Sequence, residues 1–323
     1  MKDVAKEAGV ALGTVSKVIN NQAVGDEYRI KVEQAIEKLN YKVNVYARGL
    51  KSQSTKTIAL ILPDLISPFF SQLAYYVELN LFSKGYKTLL CCSQGKKEKE
   101  TYYINMSHQN KVDGIIALTY SNINDLISPD LPFVSIDRHF DKNVQCVASD
   151  NFNGGFIATE KLISCGCKRP AYIRTGSIYY GETNKRKLGY FDACEKYGIT
   201  PITLELNDSD NTLECFAQFI EKHTDANGRL YIDGFFTVSD RLGLEIKNHL
   251  ESIGYHIPRD IQVIGFDGIR QFGDMDYYLS TIKQPIEDIA SACVEILLSK
   301  DRHLYANPYI LPVSYQYGGT TNE

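Results

Sequence analysis

The 323-residue chain has no tryptophan and three methionines, so ring stacking against a ligand would fall to its phenylalanines and tyrosines. No stretch approaches the roughly 18 consecutive apolar residues of a membrane span. Met1 is followed by Lys2, Asp3, Lys6 and Glu7 rather than by an apolar signal core. These two absences predict a cytoplasmic protein with no membrane partner. The eight cysteines form no C-x-x-C pair and have no paired histidine spacing beside them, which argues against a zinc site and leaves reduced thiols. The nucleophile elbow G-x-S-x-G and the phosphate-cradling G-x-x-x-x-G-K are also missing. A chain without these features is expected to be no enzyme and to carry no metal or cofactor.

What is present is a soluble globular composition, 44% hydrophobic and 23% charged, long enough for two or three folding units. Charge is unevenly divided. Residues 1–56 carry ten Lys or Arg against six Asp or Glu, net +4, whereas the remainder carries 25 against 33, net −8. A nucleic-acid-binding module in front of an acidic domain has this asymmetry, and so does a basic solvated helical surface.

The first 40 residues read as three short helices. In EAGVALGTVSKVIN, Val10, Val15, Val18 and Ile19 mark a buried stripe, and Gly9 is placed to take the positive φ of a turn after Val4, Ala5 and Ala8. A second helix is predicted from about Leu12 to Asn20. A third, from about Asp26 to Leu39, is predicted to bury Val32, Ala35, Ile36 and Leu39, with Asp26 and Glu27 at its positive end. Two helices joined by a tight turn and braced by a third form a helix-turn-helix, whose second helix enters the DNA major groove. That helix offers Leu12, Gly13, Thr14, Ser16, Lys17 and Asn20. Lys17 is the best base-edge candidate because lysine donates to guanine O6 and N7, and Thr14, Ser16 and Asn20 are short donors suited to phosphates. A small three-helix protein-binding domain is the alternative.

The following YKVNVYARGLKSQSTK is a linker by position, yet VYARGLK is able to form a short helix when held against something. Leu50 would then stand exposed between Arg48 and Lys51, as apolar wedges of minor-groove proteins do. An exposed leucine in a linker is also ordinary.

From residue 57 apolar runs alternate with amphipathic stretches: TIALILPD, a helix over 69–84, KTLLCC, a helix over 98–110, DGIIAL and FVSID. PAYIRTG, a helix over 184–197, DGFFTVSD, a helix over 241–253 and IQVIGFDG follow. This is the signature of parallel doubly wound α/β sheets, and the echo of VDGIIAL in IDGFFTV suggests two similar lobes. Ligands of such sheets bind beyond the carboxyl ends of the strands, so Asp64, Asp137, Asp240 and Asp267 are expected around one cleft. An Asp in this position is equally a helix cap or turn former.

The ordered set DVAKEAGV, TVSKVIN, LNY-x-x-N, ARGLK, TIALILPD, SPFF, VDGII, IDR, SDN-x-x-GG, IGFD and STIKQP resembles the LacI/GalR family of bacterial transcription regulators over nearly the whole chain. The resemblance implies an all-α helix-turn-helix domain over 1–44, a hinge helix and linker over 45–56, and a two-lobed periplasmic-binding-protein-like domain over 57–323. Lobe 1 would comprise about 57–156 and 286–309, and lobe 2 about 157–285 and 310–323. It further implies a homodimeric repressor on a pseudo-palindromic operator, controlled by a small effector, with a sugar or sugar phosphate ahead of a purine. By the same resemblance Lys17 matches a base-contacting position, Thr14, Ser16, Asn20, Tyr41 and Asn44 match phosphate-contacting ones, and Leu50 matches a minor-groove hinge leucine. Asp137, Arg186, Ser239, Asp267 and Gln284 match effector contacts, with Phe69 or Phe70 as an aromatic wall.

Departures from the family pattern carry their own expectations. Ala11 stands where a serine usually caps the recognition helix, a loss of about 1 kcal/mol. Val43 replaces the usual proline before Asn44, and the end of the chain carries no leucine heptad, so a dimer rather than a tetramer is expected. A sugar- or nucleoside-binding protein or a cleft hydrolase on the same fold is the rival reading. His139, next to the cleft aspartates, is read as a lid or ligand contact rather than a general base.

Overall fold

The computed structural model describes residues 1–20, 22–41, 54–140, 144–176, 181–207, 210–270 and 275–323. They cluster into two units, Met1–Lys56 and Thr57–Glu323. In the first, α1 (Lys2–Ala8), α2 (Leu12–Ile19) and α3 (Asp26–Lys38) close on a core of Val4, Val15, Val18, Val32 and Ala35. Gly9 ends α1 in the left-handed region (φ 64°), and this lets the chain turn at once into α2. Lys38 on α3 reaches Glu7 on α1 at 2.5 Å.

Two local expectations meet different fates. Ala11 is the N-cap of α2 and provides no side-chain hydrogen bond; Met1 and Gly25, which precede α1 and α3, provide none either. Leu39, expected in the core, is 41% exposed, because α3 ends one residue earlier and Leu39 caps it beyond the packed face.

In the second unit the first lobe is built from β1 (Thr57–Leu62), α4 (Pro68–Ser83), β2 (Lys87–Cys92), α5 (Lys97–Gln109), β3 (Gly114–Ala117), β4 (Phe133–Ile136) and β5 (Gln145–Ser149). The chain then enters the second lobe with α6 (Asn151–Ser164), β6 (Pro170–Thr175), α7 (Lys185–Tyr197), β7 (Ile202–Leu206) and α8 (Thr212–Lys222). It continues through β8 (Gly234–Thr237), α9 (Asp240–Ser252), β9 (Gln262–Asp267) and β10 (Ser280–Lys283). It returns to the first lobe with α10 (Ile286–Leu298) and β11 (Tyr309–Leu311), then to the second with β12 (Ser314–Gln316).

Among the described residues these strands form two six-stranded sheets, ordered β11-β5-β4-β3-β1-β2 and β12-β10-β9-β8-β6-β7. Neighbours are parallel except β10 and β12. The near-continuous apolar strands follow from burial on both faces. Ile58, Leu60 and Leu62 pack with Leu73 and Val77 of α4 and Ile289 and Cys293 of α10, while Ala59 and Ile61 face Ile104 of α5. The echoed segments are β3 and β8, which hold the same place in the two orders.

The first crossing between lobes lies near Asp150 rather than at 156. All of α6 belongs with the second sheet: Ala158 and Leu162 join its core, and a Cβ on Gly154 would strike the Phe266 ring at 2.6 Å. Helices α6 and α7 meet backbone to backbone. A Cβ on Gly155 would lie 2.0 Å from the Arg186 carbonyl oxygen, and one on Gly189 would lie 2.0 Å from that of Phe152. The approach requires glycine on both sides, and it fixes the start of α7, where Arg186 stands.

Candidate ligand cleft and nucleic-acid-binding face

A cavity of about 800 Å³ opens between the carboxyl ends of the two sheets. Its floor is made by three residues expected there, Asp137, Arg186 and Asp267, with Gln284 beside them. Asp137 follows β4 and Asp267 ends β9, the matching strands of the two lobes. Both take positive φ, 57° and 135°, a backbone strain that non-glycine residues accept where the surrounding structure enforces it.

The floor is held by a continuous set of hydrogen bonds. The Arg186 Nε donates to Asn151 Oδ1 (2.7 Å) and its Nη1 donates to the Val238 carbonyl (2.5 Å). The guanidinium lies 3.5 Å over the Phe266 ring and 3.9 Å from Asp267 Oδ1. Asn151 Nδ2 donates to Asp137 (3.2 Å), and Gln284 Nε2 donates to Asp267 (2.8 Å) while its Oε1 accepts from Ser149 Oγ (2.7 Å). Burial pushes Asp137 and Asp267 up to about 6, with Arg186 pulling each back. Above that range the floor offers two carboxylate acceptors flanking a guanidinium donor, which suits a polyhydroxylated ligand.

The other expected cleft residues take distinct places. Asp64 lines the cavity and also accepts from the Ile66 and Ser67 amides, each at 2.8 Å, closing the turn into α4. Phe69 and Phe70 both line it in an edge-to-face pair; Phe69 belongs to the first lobe's core and Phe70 is the more open ring. Ser239 lines it as the N-cap of α9, its Oγ accepting from Leu242 N. Asp240 does not reach the cavity. Its carboxylate turns under the sheet to accept from Gly268 N (2.9 Å), Ile269 N (2.7 Å) and Thr281 Oγ1 (2.6 Å), so it braces the end of β9. Burial, then the neighbouring Asp267, raises its pKa against those three donors. His139 is likewise absent from the lining; its Nε2 lies 2.5 Å from buried Glu182, which Lys185 also meets at 2.8 Å.

Lys96, Arg138, Arg174, Arg241 and Thr119 line the cavity without having been singled out. The strand-end rule that selects aspartates selects Arg174 in PAYIRTG equally well when applied to bases.

On the N-terminal unit, Leu12, Gly13 and Lys17 are exposed on α2 and Asn20 is exposed at its C-cap, with Thr14 and Ser16 half-buried between them. The Asn20 amide donates back to the Ser16 carbonyl at 2.8 Å. Tyr41 packs against the three-helix core. Asn44, Arg48, Leu50 and Lys51 lie outside the described residues.

With this geometry in place, comparison with known proteins agrees at both ends of the chain. Residues 1–44 match the family described as bacterial regulatory proteins, lacI family, and residues 55–293 match periplasmic binding proteins and sugar binding domain of LacI family. The sucrose operon repressor of Streptococcus mutans is 35% identical over 321 residues, covering 98% of each chain. A periplasmic binding protein/LacI transcriptional regulator from Alkaliphilus metalliredigens, solved with D-xylulofuranose, is 29% identical with a TM-score of 0.69, covering 83% of this chain and all of its own. The Lac repressor dimer bound to operator and the anti-inducer ONPF superposes with a TM-score of 0.83 at 21% identity, over 99% of this chain and 98% of its own.

Proposed function

Because the chain belongs to the LacI family of bacterial regulatory proteins, we propose that it is an operon repressor whose grip on DNA is set by a sugar in the cleft. The observation that carries this is the floor itself, with Asp137 and Asp267 on matching strands of opposite lobes and Arg186 between them. A ligand hydrogen-bonded to both carboxylates favours one closure of the lobes over another. It shifts operator affinity by its differential affinity for the two closures.

On this reading two copies act in the cytoplasm as a homodimer on a pseudo-palindromic operator, each placing α2 in the major groove with Lys17 on a base edge and Leu12 against a thymine methyl. Segment 45–51 serves as a hinge helix, with Leu50 as the minor-groove wedge beside Arg48 and Lys51, and Asn44 and Tyr41 on the backbone. The cleft binds without catalysis, since Arg186 separates its carboxylates and His139 is engaged with Glu182 outside the lining. No turnover is expected on incubation with sugars or nucleosides.

The test is anisotropy of labelled operator, with sucrose as the first effector. Asp267→Ala should bind operator normally and lose the response, whereas Leu50→Ala should lose operator affinity and keep sugar binding. Lys17→Ala should weaken cognate operator by about 1 to 3 kcal/mol per half-site and random DNA far less. An Asp267→Ala protein that still responds at the wild-type sugar concentration refutes the cleft assignment.

A further inference from the structure

Next to the floor the two lobes are joined by a pair of side chains that do not line the cavity. His139 leaves the first lobe two residues after Asp137, and Glu182 stands on the second lobe in the turn between β6 and α7. Glu182 is 1% exposed, a burial that a carboxylate accepts only when paired. Its Oε1 meets the Lys185 ammonium of its own lobe at 2.8 Å and His139 Nε2 of the other lobe at 2.5 Å. The backbone repeats the crossing, since the Glu182 amide donates to the Asp137 carbonyl at 2.9 Å. Gly181 permits that approach: a Cβ there would lie 2.8 Å from the same carbonyl oxygen. The Gly181 amide donates to Asn184 Oδ1 at 3.0 Å, which fixes the turn.

These contacts share two short segments with the floor. Residues 137–139 carry the acceptor Asp137 at one end and His139 at the other, and residues 181–186 carry Glu182 and Arg186. A displacement of Asp137 by a ligand therefore reaches the Glu182 amide directly. If the lobes part, Glu182 keeps Lys185, loses His139, and gives up its backbone bond to the first lobe. That loss falls on one closure and not on the other, which is the condition for a contact to bias an equilibrium. An ion pair contained in one lobe, such as Lys187 with Glu205, moves with that lobe and biases neither closure.

We propose that the His139–Glu182 pair is an inter-lobe tie that holds the ligand-free protein in the closure described above and so sets how much effector is needed to move it. The inference rests on the reading of the chain as an effector-controlled repressor, and is independent of which ligand the floor takes.

The tie is tested first without DNA or ligand, by hydrogen exchange of the full chain at the Glu182 amide. His139 is half-exposed, and His139→Ala leaves Glu182 paired with Lys185. It is expected to speed that exchange about tenfold while the amides within β6 and α7 keep their rates. Glu182→Gln should act alike, and the two changes together should add little to either. Lys185→Met, which removes a pair within one lobe, should leave the rate within about twofold. Operator anisotropy with sucrose as the probe then reads the consequence. In His139→Ala, sucrose-free operator affinity or sucrose affinity should change at least about threefold. Where both change, they move in opposite directions if sucrose releases wild type from operator and in the same direction if it promotes binding, as linkage requires. Exchange at Glu182 that is unchanged in His139→Ala, or raised equally by Lys185→Met, overturns the tie. So does faster exchange with both affinities as in wild type, because the contact then holds a turn and biases nothing. If wild type ignores sucrose, the sugar reading fails for that probe, and exchange together with sucrose-free operator affinity decides the tie.

Discussion

The two lobes follow one strand order, and their chemistry agrees at one position and parts at the others. After the matching strands β4 and β9 both present a positive-φ aspartate, Asp137 and Asp267. Elsewhere the first lobe contributes a balanced lining, Asp64 and Asp137 against Lys96 and Arg138. The second sets Arg174, Arg186 and Arg241 against Asp267. The lobes also pack differently. In the first, α4 and α10 interlock through Leu73, Val77, Ile289 and Cys293, whereas in the second α6 and α7 touch through glycines. The shared feature gives each lobe one carboxylate acceptor in the lining, and the unshared ones make the second lobe the more cationic.

The largest test of that contrast is Gly189→Ala. Its new Cβ would strike the Phe152 carbonyl, so it should cost about 3 kcal/mol in urea unfolding. The same change at Gly114 in β3 meets the Leu297 side chain at 3.1 Å, where a small shift relieves it, and should cost at most about 1 kcal/mol. Equal costs would erase the distinction in packing.

Next comes the floor. Asp137→Asn and Asp267→Asn should each weaken effector binding by about 2 kcal/mol, measured by calorimetry with sucrose or its 6-phosphate. Unequal losses would show that one lobe dominates the grip. Both variants also bear on pH. Each carboxyl titrates near 6 when folded and near about 4 when unfolded. Between those values the native state holds the extra proton, so stability is greatest below about 4 and falls as pH rises towards 6. Each Asn variant should flatten that fall, while wild-type effector affinity rises over the same window as the acceptors ionise. A fall in stability that is unchanged in both variants would place its origin elsewhere.

The smallest effect is at the helix starts. Ser239→Ala removes the side-chain cap of α9 and should cost about 1 kcal/mol. Ser67→Ala in the first lobe should cost a few tenths, because the Ser67 side chain makes no cap bond and Asp64 serves that turn. Thermal melting of the two variants side by side checks it.

How much of this was legible in sequence depends on whether the deciding interaction is local. Strands β1, β3, β8 and β9 are readable because burial on both faces demands unbroken apolar runs, and the helix ends at Gly9, Gly85 and Gly198 are readable because each needs positive φ. Helix α6 is hard to see in NFNGGFIATEKL, since each interior glycine lowers helix propensity by about 1 kcal/mol. Gly154 and Gly155 are there for Phe266 and the Arg186 carbonyl, partners that sequence does not reveal. Asp240 shows the same limit at the site. The strand-end rule places it at the rim, but which of Ser239 and Asp240 faces the cavity depends on the Thr281 hydroxyl and two amides beyond β9. Arg174 was within reach of that rule when it is applied to bases at the end of β6.

The threefold passage of the chain between lobes sets an order of events during synthesis. The first lobe's core needs Ile289, Cys293 and Ile296 of α10, yet the ribosome completes β5 roughly 150 residues earlier, a wait of roughly ten seconds. The lobe begun first is therefore completed only after most of its partner has been made, with β12 closing the second lobe last, and the DNA-binding head, whose own core lies within its first 41 residues, precedes both. A message cut short before α10 would release a head that has its reading helix and lacks the means of being switched.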